Sequence, residues 1–67
     1  MGKQEDRPTK RLYTVKEASE FLGISRWTMR ELQWDGKVPF VKFNRLIYFD
    51  LRDLEAFIAR NKFRENP

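Results

Sequence analysis

The chain has 67 residues, with 14 Lys and Arg against 10 Asp and Glu for a net charge of +4, and contains no cysteine and no histidine. That composition excludes a disulfide framework, a thiolate or imidazole metal site, and every Ser-His or Cys-His nucleophile. A domain this small buries roughly 60% of its surface, so stability must come from packing, to which ten aromatic residues contribute.

The remaining carboxylates are scattered along helix surfaces, and neither enzymatic activity nor a cofactor or metal is expected. A basic balance favours polyanionic partners, nucleic acid before anionic membrane. No apolar run approaches the ~20 residues of a membrane span. With no signal-peptide core at the start, a cytoplasmic location is expected.

Residues 1–11 are polar, mixed in charge and interrupted by Pro8, and read as a flexible arm. Its Lys10 and Arg11 either touch phosphate or stay solvated. Residues 64–67 read as a flexible tail, which leaves 12–63 as the domain. Thr14-Val15-Lys16-Glu17 has the form of a capping box, and Val15, Ala18, Phe21 and Leu22 follow at helical spacing. Gly23 ends this helix, about 15–22, because it takes a left-handed conformation without penalty.

Ile24 is then a buried hinge residue and Ser25 an N-cap for a second helix running to about Asp35, where Gly36 stops it. At ~100° per residue, Ser25, Thr28, Met29 and Leu32 cluster on one side of that helix. Arg26, Trp27, Arg30, Gln33 and Trp34 fall on the other, within about 120°. Two helices joined by a short Gly-containing turn match the helix-turn-helix pattern, with the second as the recognition helix.

Pro39 bars further helix, and the aromatic and β-branched run Phe40–Phe49 around Asn44-Arg45 reads as a hairpin wing. Two registers compete. A two-residue loop pairs Phe43 with Leu46 and sets Lys42 beside Ile47, mixing the faces. A three-residue loop, Asn44 to Leu46, pairs Phe43 with Ile47 and Val41 with Phe49, sharing one inward face with Lys42 and Tyr48 outward. The face rule favours the second. Asp50 caps a third helix, aided by Asp53, with Leu51, Leu54, Phe57 and Ile58 as its buried stripe. Arg60, Lys62 and Arg64 gather at its C-terminal end, where cations suit the helix dipole.

The stretch from Tyr13 to Ala59 resembles the excisionase family of MerR-type winged-helix domains. The resemblance rests on Thr14-Val15-x-Glu17-Ala18-x-x-x-Leu22-Gly23-Ile24-Ser25, on Asp35 to Pro39 with the wing, and on Arg52-Asp53-Leu54-Glu55-Ala56-Phe57. It implies a mainly α fold with a small β-hairpin, a winged helix-turn-helix of three helices and a two-stranded wing. The function it implies is sequence-specific binding and bending of double-stranded DNA by a bacterial or phage-encoded, nucleoid-associated protein. One such role is to assist a tyrosine recombinase (integrase) in excising a mobile element. The other is transcription regulation of prophage or plasmid genes through the same surface. The chain departs from the family in having Asn44 where Gly is frequent at the wing tip, and bulky Trp27 where a small polar residue is usual.

On the recognition helix, Arg26 and Arg30 are candidates to read guanine and clamp phosphate, against the alternative of two solvated arginines. Ser25 and Thr28 lie at its start, where amides and hydroxyls suit a phosphate, though Ser25 also serves as cap. Trp27 either lies along a sugar-phosphate strand or thymine methyl, or folds back on the first helix; Trp34 is expected to pack under the wing. Gln33 is a candidate reader of adenine. On the wing, Lys42, Asn44 and Arg45 are placed near phosphate or minor groove, with edge protection as the plain alternative. Lys16 is a candidate backbone contact. A different class of function is a protein-interaction module using the Trp27/Trp34 face. A monomer in solution is expected, compatible with cooperative binding side by side on DNA.

Overall fold

Thr14 fixes where the first helix begins. In a computed structural model, which describes residues 10–64, Thr14 Oγ1 accepts the Glu17 amide at 3.1 Å, and Glu17 Oε1 accepts the Thr14 amide at 3.0 Å. This reciprocal pair is the capping box. The element order is β1 (Leu12–Thr14), α1 (Val15–Leu22), α2 (Arg26–Trp34), β2 (Val41–Phe43), β3 (Leu46–Asp50) and α3 (Leu51–Arg60). The expected arm up to residue 9 and the tail from residue 65 lie outside the described residues.

Both helices of the helix-turn-helix end in the same way. Gly23 and Gly36 take φ of 73° and 71°. Beyond them the Ile24 amide bonds to the Ser19 carbonyl (2.9 Å) and the Lys37 amide to the Leu32 carbonyl (2.9 Å). These bonds close the last turns in Schellman fashion. Ser25 caps α2, its Oγ accepting the Thr28 amide at 3.0 Å. Asp50 caps α3 through the Arg52 amide at 2.9 Å.

The wing is wider than two strands and in the other register. The sheet has order β1-β3-β2, both pairings antiparallel. Strand β1, with Tyr13 opposite Phe49, was not visible in a three-residue sequence pattern. In the hairpin Phe43 pairs with Leu46, Lys42 with Ile47 and Val41 with Tyr48. The expected pairings of Phe43 with Ile47 and Val41 with Phe49 are therefore corrected. Asn44 takes a φ of 53°, the positive value that tight two-residue hairpin loops need at their first position. The face rule does not oppose this choice, because Lys42, though opposite half-buried Ile47, is itself exposed and no charge is buried.

Ala18, Met29, Val38, Phe49 and Leu54 form a fully buried cluster, with Tyr13, Val15, Leu22, Ile24, Leu32, Ile47 and Phe57 packed against it. Two stripe assignments are corrected. On α1 the inward set is buried Ala18 and Ser19 with half-buried Val15 and Leu22, spaced i, i+3, i+4, i+7. Ser19 is tolerated there because its hydroxyl donates to the Lys16 carbonyl at 2.7 Å. Phe21 lies at the edge of the stripe, 42% exposed, with its ring centroid 5.5 Å from that of Tyr13. On α3, Ile58 is exposed rather than buried, while Arg60 reaches back to donate to the Lys37 carbonyl at 2.9 Å.

Lys10 and Arg11, counted with the arm on sequence, are tied to the domain. Arg11 donates to Asp50 Oδ2 from Nε (3.1 Å) and Nη2 (3.0 Å), and its carbonyl accepts the Leu51 amide at 2.8 Å. That guanidinium, helped by the Arg52 amide, holds the Asp50 carboxyl below the usual carboxylate range. Lys10, 2.6 Å from Glu17 Oε2, and the Thr14 amide do the same for Glu17.

Two measurements check this fold. Asn44→Val should destabilise the domain by about 1–2 kcal/mol in urea unfolding, the cost of a left-handed residue bearing a branched Cβ, whereas Asn44→Gly should not. The two depressed carboxyls contribute stability above the unfolded carboxyl pKa of about 4, and this is lost as pH falls below it. Thermal unfolding followed from neutral pH into acid should show Tm falling below about pH 4, and Arg11→Ala should flatten part of that fall.

Candidate nucleic-acid interface

Three local devices bring the candidate residues to one place. The capping box at Thr14 sets Lys16 in the first turn of α1. The Gly23 turn and Ser25 cap aim α2 so that Met29 is fully buried and the opposite side is open. The Asn44 loop carries Arg45 to the end of the hairpin. Between these three pieces lies a cleft of about 650 Å³.

Thr14, Val15 and Lys16 line one end of the cleft; Arg26, Trp27, Arg30 and Trp34 line the α2 wall; Arg45, Leu46, Ile47 and Tyr48 line the wing wall. Four cations therefore face one concave surface, and no carboxylate lines it. Among the described residues, the ion pairs within 4 Å are Lys10–Glu17 and Arg11–Asp50, neither of which involves a cleft cation. Lys16, Arg26, Arg30 and Arg45 thus carry charge with no carboxylate partner among the described residues.

The α2 wall is aromatic as well as basic. Trp27 and Trp34 are 62% and 57% exposed, and their rings meet edge to face at 5.5 Å. The Arg30 guanidinium lies 5.5 Å over the Trp34 ring. Trp27 therefore does not fold back on α1; it packs on its own helix. Trp34 is not covered by the wing, as sequence suggested, but stands across the cleft from it. Cation–π contact of this exposed kind is worth roughly 0.5–1 kcal/mol and holds Arg30 in a defined place.

Not every candidate joins this surface. Ser25 and Thr28 are exposed at the start of α2, their hydroxyls 3.0 Å apart, but they do not line the cleft. Asn44 shapes the loop without lining the cleft, and Lys42 is exposed beside Ile47 on β2. Gln33 is half-buried, and its Oε1 is enclosed without a hydrogen-bond partner. It lies only about 40° around the helix from buried Met29, so its acceptor does not face outward towards a base edge. Sequence reasoning passed over Leu46 and Tyr48 as cleft residues. The loop preference of Asn44, weighed above the face rule, was the signal that places them.

The described residues contain no helix long and apolar enough to cross a membrane. Comparison with known proteins adds one finding. No match was found among curated proteins or solved structures, but a helix-turn-helix domain family matches residues 12–62. That span runs from β1 through α3 and includes every wall of the cleft. The chain belongs to this helix-turn-helix family of small, excisionase-like DNA-binding domains.

Proposed function

We propose that the protein binds duplex DNA sequence-specifically by placing α2 in the major groove and the wing across the adjoining strand. The observation that carries this reading is the convergence of four cations on a cleft between α2 and the wing, with no carboxylate among the described residues pairing with them or lining it. A single sugar-phosphate strand has the matching chemistry, anionic at each phosphate and apolar at each deoxyribose. Arg26 and Arg30 face base edges and phosphate from α2, and Arg45 approaches the minor groove. Lys16, Ser25 and Thr28 contact the backbone near two helix N-termini. Lys42 and Asn44 flank the strand from the wing. The indole of Trp27 lies along the strand or against a thymine methyl, and Gln33 contributes only if its side chain turns outward.

Within the MerR-type excisionase group, the role that fits is bending DNA beside a tyrosine recombinase during excision of a mobile element. Transcription regulation in a prophage or plasmid setting would use the same surface, and an adjacent integrase gene would favour the first role over it. The protein acts as a monomer in the cytoplasm, with side-by-side cooperation on DNA. The exposed Trp27–Trp34 pair favours one reading of another class, a protein-docking face.

Salt dependence separates the two classes. Four phosphates neutralised by Lys16, Arg26, Arg30 and Arg45 give log K falling against log salt with a slope of about −3.5, whereas an apolar interface barely responds. Arg30→Ala should lose about 1–3 kcal/mol in anisotropy titrations and relax sequence preference. Arg45→Ala should weaken binding on all sequences alike and reduce the slope by about 1. Parent-like titrations from both variants would reject the cleft as the interface.

A further inference from the structure

We infer that the wing tip is a wedge, in which Arg45 leads into the minor groove and Leu46 and Phe43 press into a base step that yields to them. This rests on the duplex-binding reading above and adds to it a mechanism of distortion and a preference among base steps. Phe43 and Leu46 sit directly opposite each other, flanking the two-residue loop on the same face of the sheet. They are 47% and 53% exposed. The turn itself, Asn44-Arg45, is polar as turns usually are, but the two large apolar side chains that flank it are left open to solvent.

Their surroundings select the occupant. Leu46 lines the same cleft as Lys16, Arg26, Arg30 and Arg45, so whatever covers it must tolerate a dense unpaired positive charge. Duplex DNA offers anionic rails with apolar base faces between them wherever a step is opened. With α2 in the major groove and one strand in the cleft, the surface beyond that strand is the minor groove. That groove is about 6 Å wide, while two paired strands alone are 4.7–4.9 Å apart. The tip therefore enters only if the groove widens. Apolar wedges achieve this by partly unstacking a step and kinking the duplex towards the major groove.

The wedge is held ready before binding. Phe43 packs edge to face on Tyr48, centroids 5.7 Å apart, which fixes its ring. Asn44 keeps the loop at two residues through its positive φ. Arg45 lies in the loop between the two apolar side chains, and the negative potential of the groove draws it in. The steps that open most readily are pyrimidine–purine, TA and CA/TG, and the wing should prefer them over stiff A-tracts.

The test uses the full chain and a short duplex with one central TA step whose adenine is replaced by 2-aminopurine, against a matched duplex with an A-tract centre. Binding of the parent should raise 2-aminopurine fluorescence at the TA step and not in the A-tract. Leu46→Ser should bind severalfold more weakly and lose most of the rise, with the salt slope unchanged. Leu46→Met, which keeps an apolar wedge, should retain the rise. Both side chains are half-exposed, so parent-like thermal unfolding is expected of these variants. Salt-dependent binding by the parent with undisturbed fluorescence would overturn the wedge while leaving the interface intact. Parent-like behaviour of Leu46→Ser and Phe43→Ser would overturn it too and assign the patch to a protein partner. Absence of any duplex affinity would remove the interface and the wedge together.

Discussion

The burial of Phe49 is the constraint on which the rest of the structure depends. It is the residue of the wing that joins the fully buried cluster, alongside Ala18 of α1, Met29 of α2 and Leu54 of α3. Strand β3 is therefore clamped at one end by three helices and by Tyr13 of β1 across from it. Its other end is free. From Phe49 to Leu46 is three steps of extended chain, roughly 10 Å, and that reach carries the loop away from the core. The cleft exists because one strand is anchored in the core and cantilevered out of it.

Charge is distributed in keeping with that frame. Two acidic groups at helix starts are engaged by the residues just before β1, Glu17 of α1 with Lys10, and Asp50, the α3 cap, with Arg11. Such exposed pairs add little stability on their own. Their placement matters more: they join the chain before β1 to two helix caps, while the cations facing the cleft have no carboxylate partner among the described residues. A surface assembled to gain internal ion pairs would have matched Arg26 or Arg45 with an acid. This one leaves them for a partner that brings its own negative charge.

The tryptophans follow the same division. In a domain this small, two indoles more than half exposed forgo a large share of the burial that holds such chains together. They are ordered all the same, by each other and by Arg30. The α2 wall thus has its aromatic and basic groups in mutual contact, which lowers by a little the side-chain entropy to be lost on binding. The wing wall is prepared in a similar way by the contact of Phe43 with Tyr48.

What the sequence determined by itself was everything governed by neighbours a few residues away. The Thr14 capping box, the left-handed Gly23 and Gly36, the Ser25 and Asp50 caps and the three helices all follow from local hydrogen bonding and backbone sterics, and they were legible at once. Lys16, Arg26, Arg30 and Arg45 were each legible as candidate contacts from helical spacing and a turn tip, but their meeting on one cleft belongs to the tertiary structure. Only the tertiary structure decided the pairing of β1 with β3, the register that turns Phe43 and Leu46 away from Ile47, the burial of Ser19 in preference to Phe21, and the enclosed oxygen of Gln33. Each of these depends on which surface a segment meets across the chain. No window of sequence contains that surface, and where local turn chemistry at Asn44 competed with the expected inward face, the exposure of Lys42 left no buried charge to enforce the face.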